Sequence, residues 1–248
     1  MGSLDGKNAL VTGGTAGIGL ASARALSEAG AHVFLTGRTQ ATIDAAVASI
    51  GPSATGIRSD VSDPTQLDAI VDAVTAHGGG LDAVFTNAGG GEFATLADVT
   101  VEHYLDTFNR NVAGTLFTVQ KVLPLLNPGA SVILSGSTSA SRGIPSFGVY
   151  AASKAAVRSF GRTWAAELAD RGIRVNTLVP GPVETPGLVG LAPAGGEKEL
   201  LEGLTADVTL GRIGQPEEIA AAVVFLASSA SSFMTGSEMF VDGGEVQT

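Results

Sequence analysis

Lys7-Asn8-Ala9-Leu10-Val11-Thr12-Gly13-Gly14-Thr15-Ala16-Gly17-Ile18-Gly19 is a short apolar run ending in closely spaced glycines, and a helix-like stretch over residues 20–29 follows it. A strand, a glycine turn and a helix in that order turn backbone N–H groups and a helix N-terminus towards one point, which suits a pyrophosphate. The missing side chains let phosphates approach. Gly13, Thr15, Gly17, Ile18 and Gly19 are therefore candidate dinucleotide contacts. The spacing is Gly-x-x-x-Gly-x-Gly rather than the commoner Gly-x-Gly-x-x-Gly, and a plain tight turn into a helix would carry the same glycines.

Outward from this unit the pattern repeats. A second strand over residues 32–36 closes in Gly37-Arg38-Thr39. In dinucleotide folds the end of this strand meets the adenosine ribose, where an acid serves NAD and an arginine suits the extra phosphate of NADP. Gly37 stands in the acid's place and Arg38 follows, so the expected cofactor is NADP(H) rather than NAD(H). Thr15 offers the same phosphate a hydroxyl; stacking on the adenine is the other use open to Arg38. A third strand over residues 54–59 leads to Asp60-Val61, and Ser62-Asp63-Pro64 reads as a helix start that Asp60 could cap. After that helix a fourth strand, residues 81–86, runs into Asn87-Ala88-Gly89-Gly90-Gly91, whose extra glycines predict a mobile loop. A long helix is predicted over residues 101–126, with Asn109 and Asn111 inside it.

A buried strand over residues 130–134 precedes Ser135-Gly136-Ser137, and an alanine-rich helix carries Tyr150 and Lys154 one turn apart on one face and continues to about residue 170. A phenol of ordinary pKa near ~10 moves protons poorly at neutral pH, and an ammonium beside it favours the phenolate. Ser137, leaving the strand, can bind the same oxygen. This is a site for moving a proton on and off an alcohol. A further strand over residues 173–179 ends in Pro180-Gly181-Pro182-Val183-Glu184-Thr185. A glycine-rich, leucine-bearing stretch over residues 187–211 suits a lid, with Leu188, Val189, Leu191, Leu200 and Leu204 on its inner wall. A last helix opens at Pro216, and a last strand over residues 238–241 leads to Asp242-Gly243-Gly244.

Together the Gly13–Gly19 loop, Asn87-Ala88-Gly89, Ser137 and the Tyr150-x-x-x-Lys154 pair resemble the short-chain dehydrogenase/reductase family, in its branch of about this length, and the resemblance covers nearly the whole chain. It implies a single Rossmann-type α/β domain, a doubly wound parallel sheet of about seven strands with helices on both faces. It implies that Asn111, Ser137, Tyr150 and Lys154 are catalytic, Asn111 by positioning a water that relays protons to the lysine. It implies that Asp60 and Val61 edge the adenine pocket, that Asn87, Ala88 and Gly89 line the cofactor, and that Pro180, Gly181, Val183 and Thr185 meet its nicotinamide end, with Tyr150 and Lys154 also touching it. Relatives pair the two long helices across a two-fold axis, which implies a homo-oligomer, a dimer or tetramer.

Composition narrows the function classes. The 248 residues carry a formal net charge of −10 and 44% hydrophobic side chains, which fits a large Val/Ile/Leu/Ala core and argues against nucleic-acid or anionic-membrane partners. With no cysteine, thiolate catalysis and Cys-ligated metals are excluded. His32, His77 and His103 are scattered without ligand-like spacing, so no metal site is expected. No span or leader pattern is evident, and a cytoplasmic location is the expectation. The reading is an oxidoreductase of a small ketone or secondary alcohol. Its alternatives are a 3-oxoacyl carrier-protein reductase, disfavoured because residues 122–131 hold no basic residue, and a non-catalytic dinucleotide sensor. Arg110 and Arg142 stand as candidate anchors for an anionic substrate.

Overall fold

The computed structural model describes residues 2–246. Seven parallel strands form one sheet in the order β3-β2-β1-β4-β5-β6-β7: β1 Asn8–Val11, β2 His32–Gly37, β3 Ala54–Arg58, β4 Leu81–Thr86, β5 Leu126–Ser135, β6 Arg174–Pro180 and β7 Glu238–Val241. The helices are α1 Gly17–Glu28, α2 Gln40–Ile50, α3 Asp68–His77, α4 Val101–Phe108, α5 Gly114–Val122, α6 Gly148–Glu167, α7 Pro186–Val189, α8 Glu197–Ala206 and α9 Pro216–Ala227. This is the doubly wound Rossmann-type fold implied above.

The strands are apolar on both faces because helices cover both. Val11, Val33, Leu35, Phe85 and Ile133 point into one core with Leu26 of α1, Ile43 of α2 and Val223 of α9. Their neighbours Leu10, Phe34, Val84, Val132 and Leu134 point into the other, against Ile70 of α3, Val119 of α5 and Val157 of α6. The strand order reverses between β1 and β4, and this switch point is where loops from both halves leave a crevice. No helix of the described residues is long and apolar enough to cross a membrane.

Three elements depart from the sequence reading. α2 lies where that reading has no element; it buries Ile43 and Ala46, with Thr39 at its N-terminal cap position. The helix expected over residues 101–126 is broken by a π-helical turn, Asn109–Ala113, and stops at Val122, after which Pro124 sits in a 3₁₀ turn and Leu126 already begins β5. Asp60 does not cap the following helix. Its carboxylate accepts from the Ser62 N–H (3.0 Å) and hydroxyl (2.7 Å), while Asp63 is the cap, accepting from the Thr65 N–H at 3.0 Å.

Candidate active site

A cavity of about 600 Å³ follows the C-terminal ends of the strands from Arg38, past the Gly13 loop, to Tyr150 and the leucines of the 187–211 stretch. Every residue singled out above for catalysis or dinucleotide contact lines it except Gly19 and Asn111, which stand just behind its wall.

The first end is built from backbone. Gly13 and Gly17 have φ of 64° and 50°, which side-chain-bearing residues rarely adopt. The Gly13 N–H donates to the Thr36 hydroxyl (3.2 Å) and the Gly14 N–H to the Thr36 carbonyl (2.9 Å), pinning the loop to β2. A Cβ on Gly19 would lie 2.1 Å from the Gly13 carbonyl oxygen, so α1 packs directly on the turn it follows. No side chain caps α1 and no acid lies in its first turn, leaving its N–H groups to an anion. This cradle fits a pyrophosphate. At Gly37 a Cβ would stand 2.6 Å from the Thr15 methyl, so a side chain there would have to displace Thr15, and no carboxylate occupies that place. Arg38 lies exposed beside it, and the Arg58 Nε donates to the Arg38 carbonyl at 3.3 Å.

Asn87 joins the two halves. Its amide nitrogen donates to the carbonyls of Thr12 (3.1 Å) and Gly13 (3.3 Å), and the Ala88 N–H donates to the Thr12 hydroxyl at 3.0 Å. Thr185 caps α7, its hydroxyl accepting from the Leu188 N–H at 3.1 Å, and its methyl lies close against Gly17, where a Cβ would be 3.0 Å from it. Val183 is held by backbone bonds between Pro182, Glu184 and Gly214. Gly181 packs on Asp242, where a Cβ would come within 2.7 Å of the Asp242 Cα.

The second end is built from side chains. Lys154 is only 4% exposed, and its Nζ donates to the Ser135 carbonyl at 2.9 Å and stands 5.6 Å from the centre of the Tyr150 ring. Burial lowers its pKa to about 8. The Tyr150 phenol is hydrogen-bonded with Ser137, which favours the phenolate, but burial is the larger influence and its pKa is raised. Desolvation is thus the larger influence on the phenol, ahead of the Ser137 hydrogen bond. Asn111 is 1% exposed. Its amide donates to the Gly90 carbonyl and the Ser153 hydroxyl and accepts from the Gly90 N–H, all at 2.9 Å, and Ser153 donates to the Tyr150 carbonyl at 2.7 Å.

Glycines of this loop allow close approach. A Cβ on Gly89 would be 2.8 Å from the Asn111 Oδ1, and one on Gly91 would be 2.6 Å from Cδ2 of Tyr150. Phe147 stacks on Tyr150 with ring centres 4.4 Å apart, and Phe93 packs on Phe147 at 4.8 Å. Leu188, Leu191 and Leu204 close the far wall; Leu200 lines an adjoining groove with Phe93, and Val189 lines neither.

Two cavity residues escaped the sequence reading as a pair. Arg142 donates from Nη2 to Asp207 (3.0 Å) and to Glu245 (2.8 Å), whose side chain is 3% exposed. Burial raises the Glu245 carboxyl, with Thr138 and Arg142 pulling the other way. The Asp242-Gly243-Gly244 turn brings Glu245 there: Asp242 accepts from the N–H groups of Gly244 and Val246, folding Glu245 back into the cavity wall. Arg110, the other candidate anchor, pairs with Asp106. Both arginines are thus already engaged by carboxylates. His32 stacks on His77 with ring centres 4.1 Å apart, and among the described residues no group of three or more His, Asp or Glu could hold a metal.

Comparison with known proteins bears on this geometry. A family model described as enoyl-(acyl carrier protein) reductase matches residues 13–245. The chain is 44% identical over 246 residues to oxidoreductase asL5 of Sarocladium schorii, covering 98% of this chain and 97% of that one. It is 36% identical over 253 residues to versicolorin reductase 1 of Dothistroma septosporum, covering 97% and 96%. A solved structure titled short chain dehydrogenase/reductase family protein superposes with a TM-score of 0.86 at 39% identity, covering 99% of this chain and all (100%) of that one. Matched by this family model, by oxidoreductases over nearly its whole length and by a solved member of the family, the chain belongs to the short-chain dehydrogenase/reductase family.

Proposed function

We propose that the protein is an NADP(H)-dependent carbonyl reductase or secondary-alcohol dehydrogenase working on a small, largely apolar ketone or alcohol. The observation that carries this reading is the hydrogen-bonded Ser137–Tyr150 pair at the end of the cavity, with the buried Lys154 beneath it. Bound along the cavity, the dinucleotide would supply or accept the hydride. Ser137 holds the carbonyl oxygen. Tyr150 gives that oxygen a proton during reduction and takes it back during oxidation, and its raised pKa keeps it a donor at neutral pH. Lys154 would hold the ribose of the bound dinucleotide, and its ammonium returns the proton to Tyr150. Asn111 is fixed by Gly90 and Ser153, both Nδ2 hydrogens and one acceptor site of Oδ1 being used, so it acts by position, holding the Gly90 backbone and Ser153 beside Tyr150 and Lys154.

Gly13, Thr15, Gly17, Ile18 and the α1 N-terminus would hold the pyrophosphate. Asp60 and Val61 would hold the adenine, and Asn87, Ala88, Gly89, Pro180, Gly181, Val183 and Thr185 the nicotinamide half. Two things support NADP(H): the closed space at Gly37, and the guanidinium of Arg38 beside it. Residues 187–211 are the lid. Its leucines, with both cavity arginines already paired, favour a free apolar substrate over an anionic or carrier-bound one. Val101, Tyr104 and Leu105 are exposed on α4, which supports homo-oligomerisation through that helix.

The test is steady-state oxidation of NADPH and of NADH against ketones, β-ketoesters and acyl-thioester mimics. NADPH should be consumed in preference, and the apolar ketones should be the best substrates. A preference for NADH would overturn the Arg38 reading. Binding of both without consumption would favour the sensor.

A further inference from the structure

Arg142 and Glu245 share one bond and each leaves another group unmet. Nη2 of Arg142 reaches Oε1 of Glu245 and the Thr138 hydroxyl also bonds that carboxylate, but the Nε of Arg142 and the Oε2 of Glu245 are both buried without a hydrogen-bond partner among the described residues. Buried polar atoms are nearly always paired, because an unpaired one loses its water for nothing. Here one orphan is a donor, the other an acceptor, and they sit on adjacent, ion-paired side chains that both line the substrate end of the cavity. Arg142 stands on the loop that carries Ser137, five residues on.

A single group can satisfy both atoms only if it gives and takes a hydrogen bond. A ketone oxygen only accepts and an ammonium only donates; a hydroxyl does both. We propose that Arg142 and Glu245 form a second polar subsite, which binds a hydroxyl carried by the substrate apart from the reacting carbonyl. The hydroxyl donates to Oε2 of Glu245 and accepts from the Nε–H of Arg142. The natural substrate is then a hydroxyketone or a phenolic ketone, apolar along the lid and hydroxylated at one distant point. This rests on the reductase reading above and narrows its substrate class.

The test uses matched pairs of cyclic and aryl ketones, each with and without one hydroxyl, and compares kcat/KM within each pair. The wild-type protein should favour the hydroxylated member of at least one pair by about tenfold or more, since a buried site left unpaired rejects the analogue that lacks the group. Glu245→Met should bring that ratio to within about threefold of unity, and the same-shaped Glu245→Gln should lower it partway. Asp207→Asn, which touches only the lid side of Arg142, should leave the ratio at its wild-type value. A ratio near one across all pairs, or a ratio unmoved by the Glu245 changes, overturns the subsite. So does an equal loss on both members, which would make the pair a structural latch. Reduction that survives Tyr150→Phe, or no reduction of any ketone, overturns instead the reading on which the subsite rests.

Discussion

The two glycine-rich loops of this protein, residues 13–19 and 89–91, look alike in sequence and do different physical work. In the first, positive φ angles and the approach of α1 to the Gly13 carbonyl make a surface of backbone N–H groups. In the second, none of the three glycines has a positive φ; Gly89 and Gly91 instead let Asn111 and Tyr150 come closer than a Cβ would permit. The first loop is shaped for a ligand and the second for the protein's own Asn111, Lys154 and Tyr150. Glycine at one end of the cavity is a conformational requirement, and at the other a steric one.

Substitutions separate the two. Gly19→Ala puts a methyl into backbone 2.1 Å away, and backbone cannot give way cheaply. Urea unfolding should show a loss of about 4 kcal/mol or more, together with loss of dinucleotide binding. Gly91→Ala should instead push the Tyr150 ring aside. It should lower kcat by about 100-fold while the dinucleotide Kd stays within about threefold, because a misplacement of an ångström is enough to spoil alignment. Equal loss of binding and turnover in both variants would erase the distinction.

Lys154 sharpens the comparison from the side-chain end. Its pKa falls from the ordinary 10.5 to about 8 in the folded protein. Below pH 8 both states hold the proton and the full penalty of burying the charge is present. Between pH 8 and 10.5 the unfolded chain still binds a proton that the folded chain has released, so this contribution to stability improves as pH rises. Lys154→Met should raise the unfolding free energy at pH 7 by as much as about 3 kcal/mol, a gain that fades towards pH 10, and should lower kcat. The smallest effect belongs to the backbone-built end: Arg38→Ser should raise the KM for NADPH about tenfold and change that for NADH less than twofold.

Much of this was legible in the sequence, for identifiable reasons. The seven strands were readable as apolar runs closed by Gly, Asp, Asn or Pro, and the Tyr150–Lys154 pair by helical spacing. α2 is less legible: Ile43, Val47 and Ile50 stand at helical intervals, but no capping side chain, first-turn acid or last-turn base marks its ends. The π-helical turn at Asn109–Ala113 could not be read, since a wider turn leaves the same residue types in the same order. Its consequence is the placement of Asn111 against Gly90 and Ser153. Nor could Glu245 be read as part of the cavity. It reaches there only through the turn that Asp242 closes, and through contacts with Arg142, 103 residues earlier in the chain.

The most direct test of the account is single-turnover reduction of the best ketone at saturating NADPH by the wild-type protein and Tyr150→Phe, with the NADPH Kd measured on both. The account predicts that the rate falls by about 1,000-fold or more while the Kd changes less than about threefold, since only the proton on the phenol is lost. A variant that turns over at a rate near wild type, or one whose loss is matched by weaker NADPH binding, would contradict it.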